Sequence, residues 1–168
     1  MDSINEQFSR IYDQYIEKIY RFVYLKVNSQ EVAEDITSKV FLNGLEAYRE
    51  KRVIDNPRAF LYQIARNVVI DHYREKGRTK IVSADLTKLI ADPKTSLYEK
   101  AVLNSDMEIV KLAIQSLKKD YQDVIIWHYL EDMSIAEMAQ ILNKPEGTIR
   151  VMIHRGLESV KNELKGQA

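Results

Sequence analysis

None of the chain's 168 residues is a cysteine, which excludes disulfides and thiolate metal centres outright. Glycine and proline are scarce, 5 and 3 residues, so few points break regular backbone. No run approaches the roughly 18 apolar residues of a membrane span, and the opening MDSINEQFSR has no apolar core of signal-peptide length. A soluble, cytoplasmic protein is expected. There is no surplus of charge either: 25 basic residues balance 25 acidic ones. Proteins that grip nucleic acid alone are usually basic overall, because lysine and arginine release condensed counterions. Neutrality therefore argues against strong autonomous DNA binding. Catalysis finds as little support. His72, His128 and His154 lack metal-ligand spacing, and neither a glycine-rich phosphate loop nor a nucleophile elbow is present. No enzyme activity, cofactor or metal is expected.

What is present is helical periodicity. Phe8, Ile11, Tyr12, Tyr15, Ile16, Ile19, Phe22 and Val23 recur at i, i+3, i+4 spacing and predict a helix from about Asn5 to Val27. A second, about Gln30 to Arg49, carries Ala33, Ile36, Val40, Leu42, Leu45 and Tyr48. Asn56-Pro57, an N-cap residue before a proline, starts a third that Gly77 ends. Residues 79–107 lose the periodicity and read as a linker. Beyond it come two helices of about ten residues with Lys118-Lys119-Asp120 as their turn, then Ile135–Leu142, then a last helix after Pro145. The fold class expected is all-α: two small helical domains joined by a flexible linker, the C-terminal one a helix-turn-helix. The boundaries are 1–78, 79–107 and 108–168.

The strongest signal lies at Ser134–Arg155. Ser134 and Glu137 have capping-box spacing; Asn143-Lys144-Pro145 makes the turn, and Ala139 permits a close helix crossing. Ile149, Met152, Ile153, Leu157, Val160 and Leu164 form the buried stripe of the last helix. Thr148, Arg150, Val151, His154 and Arg155 are left on its forward face, the part of a recognition helix that enters a major groove. Arg150 suits a guanine edge and Arg155 a phosphate. The bland alternative is the solvated face of an αα-hairpin.

Residues 49–78 hold eight basic groups (Arg49, Lys51, Arg52, Arg58, Arg66, Arg74, Lys76, Arg78) against four acidic ones (Glu50, Asp55, Asp71, Glu75). There Arg58, Tyr62, Arg66 and Tyr73 share a face, with Asn67 and Arg74 beside it. Cations interleaved with aromatics suit single-stranded DNA, where bases stack on rings and phosphates meet arginine; equally, Tyr62 and Tyr73 are half-buried core edges. Glu31, Glu34 and Asp35 are either a solvated helix start or a surface for a basic protein partner.

EVAEDITSKVFLNGLEAY (31–48), NPRAFLYQIARNVVIDHYREKGR (56–78) and LKKDYQDVIIWHYLEDMSIAEMAQILNKPEGTIRVMIHRGLESVKNEL (117–164) resemble the extracytoplasmic-function group of bacterial RNA polymerase sigma factors. The resemblance covers both modules in the right order. It implies that residues 1–78 bind core RNA polymerase and open the promoter −10 element, and that 108–168 read the −35 element. Glu34, Asp35, Thr37, Ser38 and Phe41 would fall on the polymerase-binding region. Arg52 and Asn56 would belong to the loop that captures a flipped base, and Arg58, Tyr62, Arg66, Asn67 and Arg74 to the strand-opening helix. The partners implied are core polymerase, promoter DNA as duplex and single strand, and an anti-sigma factor. No small-molecule substrate or membrane insertion is implied. Pro145 departs from the serine cap of many relatives, and Val151 and His154 stand where members vary, so no −35 sequence carries over. Read without the resemblance, a dimeric helix-turn-helix repressor or activator and a protein-interaction adaptor remain open.

Overall fold

A computed structural model describes residues 3–51, 54–77 and 106–166. Among the described residues there is no strand, and seven helices account for almost everything. α1 (Ile4–Lys26) opens on a complete capping box: Ser3 Oγ accepts from Glu6 N (3.1 Å), and Glu6 Oε2 accepts from Ser3 N (3.3 Å). α2 (Gln30–Lys51) begins where Ser29 Oγ accepts from Val32 N, and α3 (57–77) where Asn56 Oδ1 accepts from Ala59 N, both at 3.1 Å. α4 (Asp106–Gln115), α5 (Lys119–Tyr129), α6 (Ile135–Leu142) and α7 (Glu146–Gly166) follow.

The all-α, two-module organisation expected from periodicity is therefore what the chain adopts. α1 packs on α2, with α3 closing the first module through Leu61, Ala65, Val68 and Val69. α5, α6 and α7 pack on one another in the second. At the α6–α7 turn Asn143 takes a left-handed conformation (φ 54°, ψ 51°), tolerated by asparagine better than by most residues, and Lys144 N donates to Ala139 O at 3.0 Å. α5 and α7 approach closely at Gly156, where a Cβ would lie 2.9 Å from Ile125 Cγ1. The small residue that permits this crossing is Gly156; Ala139, the residue expected from sequence to allow a close crossing, lies half-buried on α6.

Some expectations need correction. Leu42, placed in the core by its spacing, is 63% exposed: two residues from Val40 is roughly 200° around the helix, and α2 turns Val40, Phe41, Gly44 and Tyr48 inward instead. Leu164 ends up exposed, beyond the last residue of α7 that another helix covers. Lys119 and Asp120 belong to α5 rather than to the turn, and α3 still includes Gly77. The linker expected at 79–107 lies outside the described residues, save 106 and 107, which begin α4.

The two modules also share a core. Phe22 of α1 stacks on Trp127 of α5 with ring centroids 5.6 Å apart and planes 9° from parallel. Tyr62 of α3 meets both rings edge-on, at 5.2 and 5.6 Å. Helix ends are satisfied across the same junction. Gln115 Nε2 donates to Val27 O (2.9 Å) at the end of α1, and Arg21 Nη2 to Leu130 O (3.2 Å) at the end of α5.

Candidate functional site

α7 presents one outward face. Ile149, Met152, Ile153 and Gly156 are buried against α5 and α6, and Thr148, Arg150, Val151, His154 and Arg155 are all exposed. All five forward-face residues expected from sequence thus stand together in the first three turns of the last helix. Their side chains are loosely held: Arg150 is 3.9 Å from Glu146 and His154 3.5 Å from Glu158, exposed pairs of little energetic weight. Ser134 Oγ accepts from Glu137 N at 3.1 Å, as the capping box requires, but the Glu137 carboxylate does not return to the cap. It accepts from Arg58 instead (Nε to Oε1, 2.9 Å, with Nη2 on Oε2) and from Asn56 Nδ2 (3.2 Å).

That contact shows what has happened to the arginine–tyrosine face of α3. It is not open to solvent. Arg66 donates from Nε to Asp123 Oδ2 (2.7 Å) and from Nη2 to Asp120 Oδ1 (2.9 Å). Tyr62 is fully buried, and Tyr73 is half-buried, its hydroxyl donating to Lys26 O and its ring 4.9 Å from Lys119 Nζ. In this arrangement the two tyrosines are core and core edge. Asn67 and Arg74 remain exposed, Arg74 being 4.0 Å from Asp71. Arg52 lies outside the described residues, whereas Asn56 caps α3.

The electrostatics follow the geometry. The hydrogen bonds from Arg58 and Asn56 hold Glu137 below its ordinary pKa, against burial, which acts the other way. The same hydrogen bond raises Arg58. Burial pushes the Tyr62 hydroxyl up, reinforced by the nearby Glu131 carboxylate. With its folded value depressed, Glu137 stabilises the contact at neutral pH, and that contribution disappears as pH falls through the folded value.

On α2, Glu34, Asp35 and Ser38 are exposed, Glu34 accepting from Gln30 at 3.2 Å. Thr37 and Phe41 are buried beneath that surface, Phe41 lining the groove between α1 and α2. The Thr37 hydroxyl donates to Ala33 O (2.7 Å), and Phe41 is buried with its ring 4.9 Å from Tyr12. The surface residue missed by sequence reasoning is Leu42. With Ser38, Tyr12 and Leu45 it lines an open, mainly apolar groove of about 520 Å³ between α1 and α2. Among the described residues no acidic or histidine cluster could hold a metal ion, and no helix is long and apolar enough to cross a membrane.

Two protein families match the chain: Sigma-70 region 2 over residues 11–79, and Sigma-70, region 4 over residues 107–160. The ECF RNA polymerase sigma factor SigW of Bacillus subtilis is 31% identical, over 95% of this chain and 90% of its own length. BldN of Streptomyces coelicolor, also an ECF RNA polymerase sigma factor, is 30% identical over 97% of this chain, which spans 62% of that longer protein. Among solved structures, the sigma factor RpoE of Bartonella quintana, in complex with the anti-sigma factor NepR, has a similar fold. Its TM-score is 0.71 at 19% identity, over 95% of this chain and 97% of that one.

Proposed function

Since the chain belongs to the extracytoplasmic-function group of RNA polymerase sigma factors, which act in transcription initiation, we propose that its two modules divide promoter recognition between them. α7 reads the −35 duplex through Thr148, Arg150, Val151, His154 and Arg155. α3, with its Arg58, Tyr62, Arg66, Asn67 and Arg74 and the preceding Arg52 and Asn56, holds the unpaired −10 strand. Core RNA polymerase docks on α1 and α2 around Glu34, Asp35, Ser38 and Leu42, with Thr37 and Phe41 supporting that surface from beneath. The observation that carries the reading is the forward face of α7, five exposed side chains on one side of a helix whose other side is packed on α5 and α6. Polymerase supplies most of the grip on DNA, which accounts for a neutral specificity subunit. An anti-sigma factor, of the kind that accompanies the Bartonella structure, is a further expected partner.

Run-off transcription with core polymerase tests this. Initiation from a two-element promoter that depends on added chain is the expected result. Nanomolar binding to a palindromic operator by the chain alone at physiological salt would instead identify an autonomous repressor. Arg150→Ala and His154→Ala should each change −35 base preference by about 1–3 kcal/mol of discrimination. Polymerase affinity, measured by co-purification, should stay unchanged; its loss would contradict the division of labour.

A further inference from the structure

α7 carries a glycine for which the fold has no use. Gly147 lies in the first turn of the helix, and a Cβ built on it would meet nothing within 4 Å. No glycine among the described residues has a positive φ, so the backbone does not require one there either. Alanine would fit and is the better helix former. Gly77 and Gly166 are equally open, but they close α3 and α7, an end of a helix where glycine is common. Gly147 instead stands at a helix start, on the side turned away from the chain. At about 100° per residue it is opposite Ile149, Met152, Ile153 and Gly156, the buried residues of α7, with Val151 and His154 within about 40° of it.

Val151 is equally out of keeping with its surroundings, a valine 46% exposed among polar and cationic neighbours. Side chains of a helix lean toward its N-terminus, so the Val151 isopropyl group leans over the turn that Gly147 leaves bare. Its β-branch holds it almost wholly in one rotamer. Bare backbone and two fixed methyl groups make a shallow apolar notch, flanked by the exposed Thr148, Arg150 and His154. A polar base edge pressed against those methyl groups would lose water and gain no side-chain partner. Of the groups that base pairs show in the major groove, the 5-methyl of thymine is the one that suits such a spot.

We propose that Gly147 and Val151 read a thymine of the −35 element by its 5-methyl group, Gly147 admitting the methyl and Val151 packing against it. This rests on the reading of α7 as the −35 helix, and it adds a base that the cationic side chains do not select. Arg150 suits guanine, whereas the notch suits thymine. Cytosine is refused there, since it lacks the methyl and presents an amino group to the groove.

The test uses holoenzyme, the full chain with core polymerase, on promoter duplexes. Selection from duplexes randomised across the −35 element gives the preferred sequence. Each thymine on either strand is then replaced in turn by deoxyuridine, which pairs alike but lacks the methyl. One replacement should weaken binding about fourfold, the worth of one buried methyl-sized group, and the others should not. With Val151→Ala the thymine and uracil duplexes should bind equally. Gly147→Ala should weaken binding to the thymine duplex about fivefold or more by crowding the notch, while the thermal midpoint of the chain holds or rises. Gly166→Ala, the same change in open space at the far end of the helix, should leave DNA affinity as it was. A preferred sequence without thymine, or with no position sensitive to uracil, overturns the notch. So does a uracil penalty that Val151→Ala leaves intact, full affinity in Gly147→Ala, or a lowered midpoint in that variant, which would make the glycine a demand of the fold. The underlying reading is checked apart from this, by repeating the selection with Arg150→Ala and His154→Ala. If the preferred −35 sequence does not change, the role of α7 falls and the notch with it; if it changes while no uracil penalty is seen, only the notch falls.

Discussion

Asp123→Ala should part the two modules without melting either of them. Asp123 is 1% exposed and faces two cations, Lys26, itself 2% exposed, and Arg66. Removing one member of a buried ion pair costs about 3–5 kcal/mol, because the partner charge is left without compensation. Within a single core that sum would be charged against global unfolding. Here both stranded cations belong to the first module, and separation returns them to water. The cost is therefore capped by the free energy of opening, and about 3–5 kcal/mol shifts a closed-to-open ratio by a factor of about a hundred to several thousand. Small-angle scattering should show a larger radius of gyration, with the thermal midpoint lowered little. A compact variant with a sharply lowered midpoint would show that the junction is core after all.

Ile149→Ala should behave in the opposite way. Ile149 is fully buried on the inner side of α7, behind the proposed recognition face. Truncating it leaves a cavity worth about 2–5 kcal/mol. No rearrangement of the modules relieves that loss, since the residue lies away from their junction. Domains of this size are stable by about 5–15 kcal/mol in total, so the second module should melt at much lower denaturant while α1–α3 stay folded. Amide exchange resolved by segment reads this directly. Uniform loss of protection across both modules would mean that they unfold as one unit, and would also weaken the case for opening.

The contrast between these residues shows which parts of the molecule are legible in sequence. The helices, the Asn56 and Ser134 caps and the inner stripe of α7 are local, and spacing of three and four residues reveals them. Thr148 to Arg155 stand where that spacing puts them, because a helix with one face packed leaves its other face out. The fate of Glu137 could not be read in this way. Its partner in the capping box is three residues away, whereas the partner it takes, Arg58, is 79 residues away. Tyr62 poses the same difficulty. A face of arginines and tyrosines has one spacing whether it meets water, nucleic acid or another module, and only the position of α5 decides between them. Leu42 is instructive in the reverse sense. A leucine in a helix is readily assigned inward, yet Phe41 beside it already fills the space against Tyr12 and Phe8.

The chain has a single tryptophan, and the junction is where it sits. Trp127 is fully buried, stacked on Phe22. An indole that leaves such a stack for water emits at longer wavelength, and excitation to the red of the ten tyrosines confines the signal to this one residue. The protein thus carries a built-in optical gauge of its own state, free of labels and open to stopped-flow mixing. Added polymerase, oligonucleotide or salt can each be asked, on the millisecond scale, whether it spreads the two halves or finds them already apart.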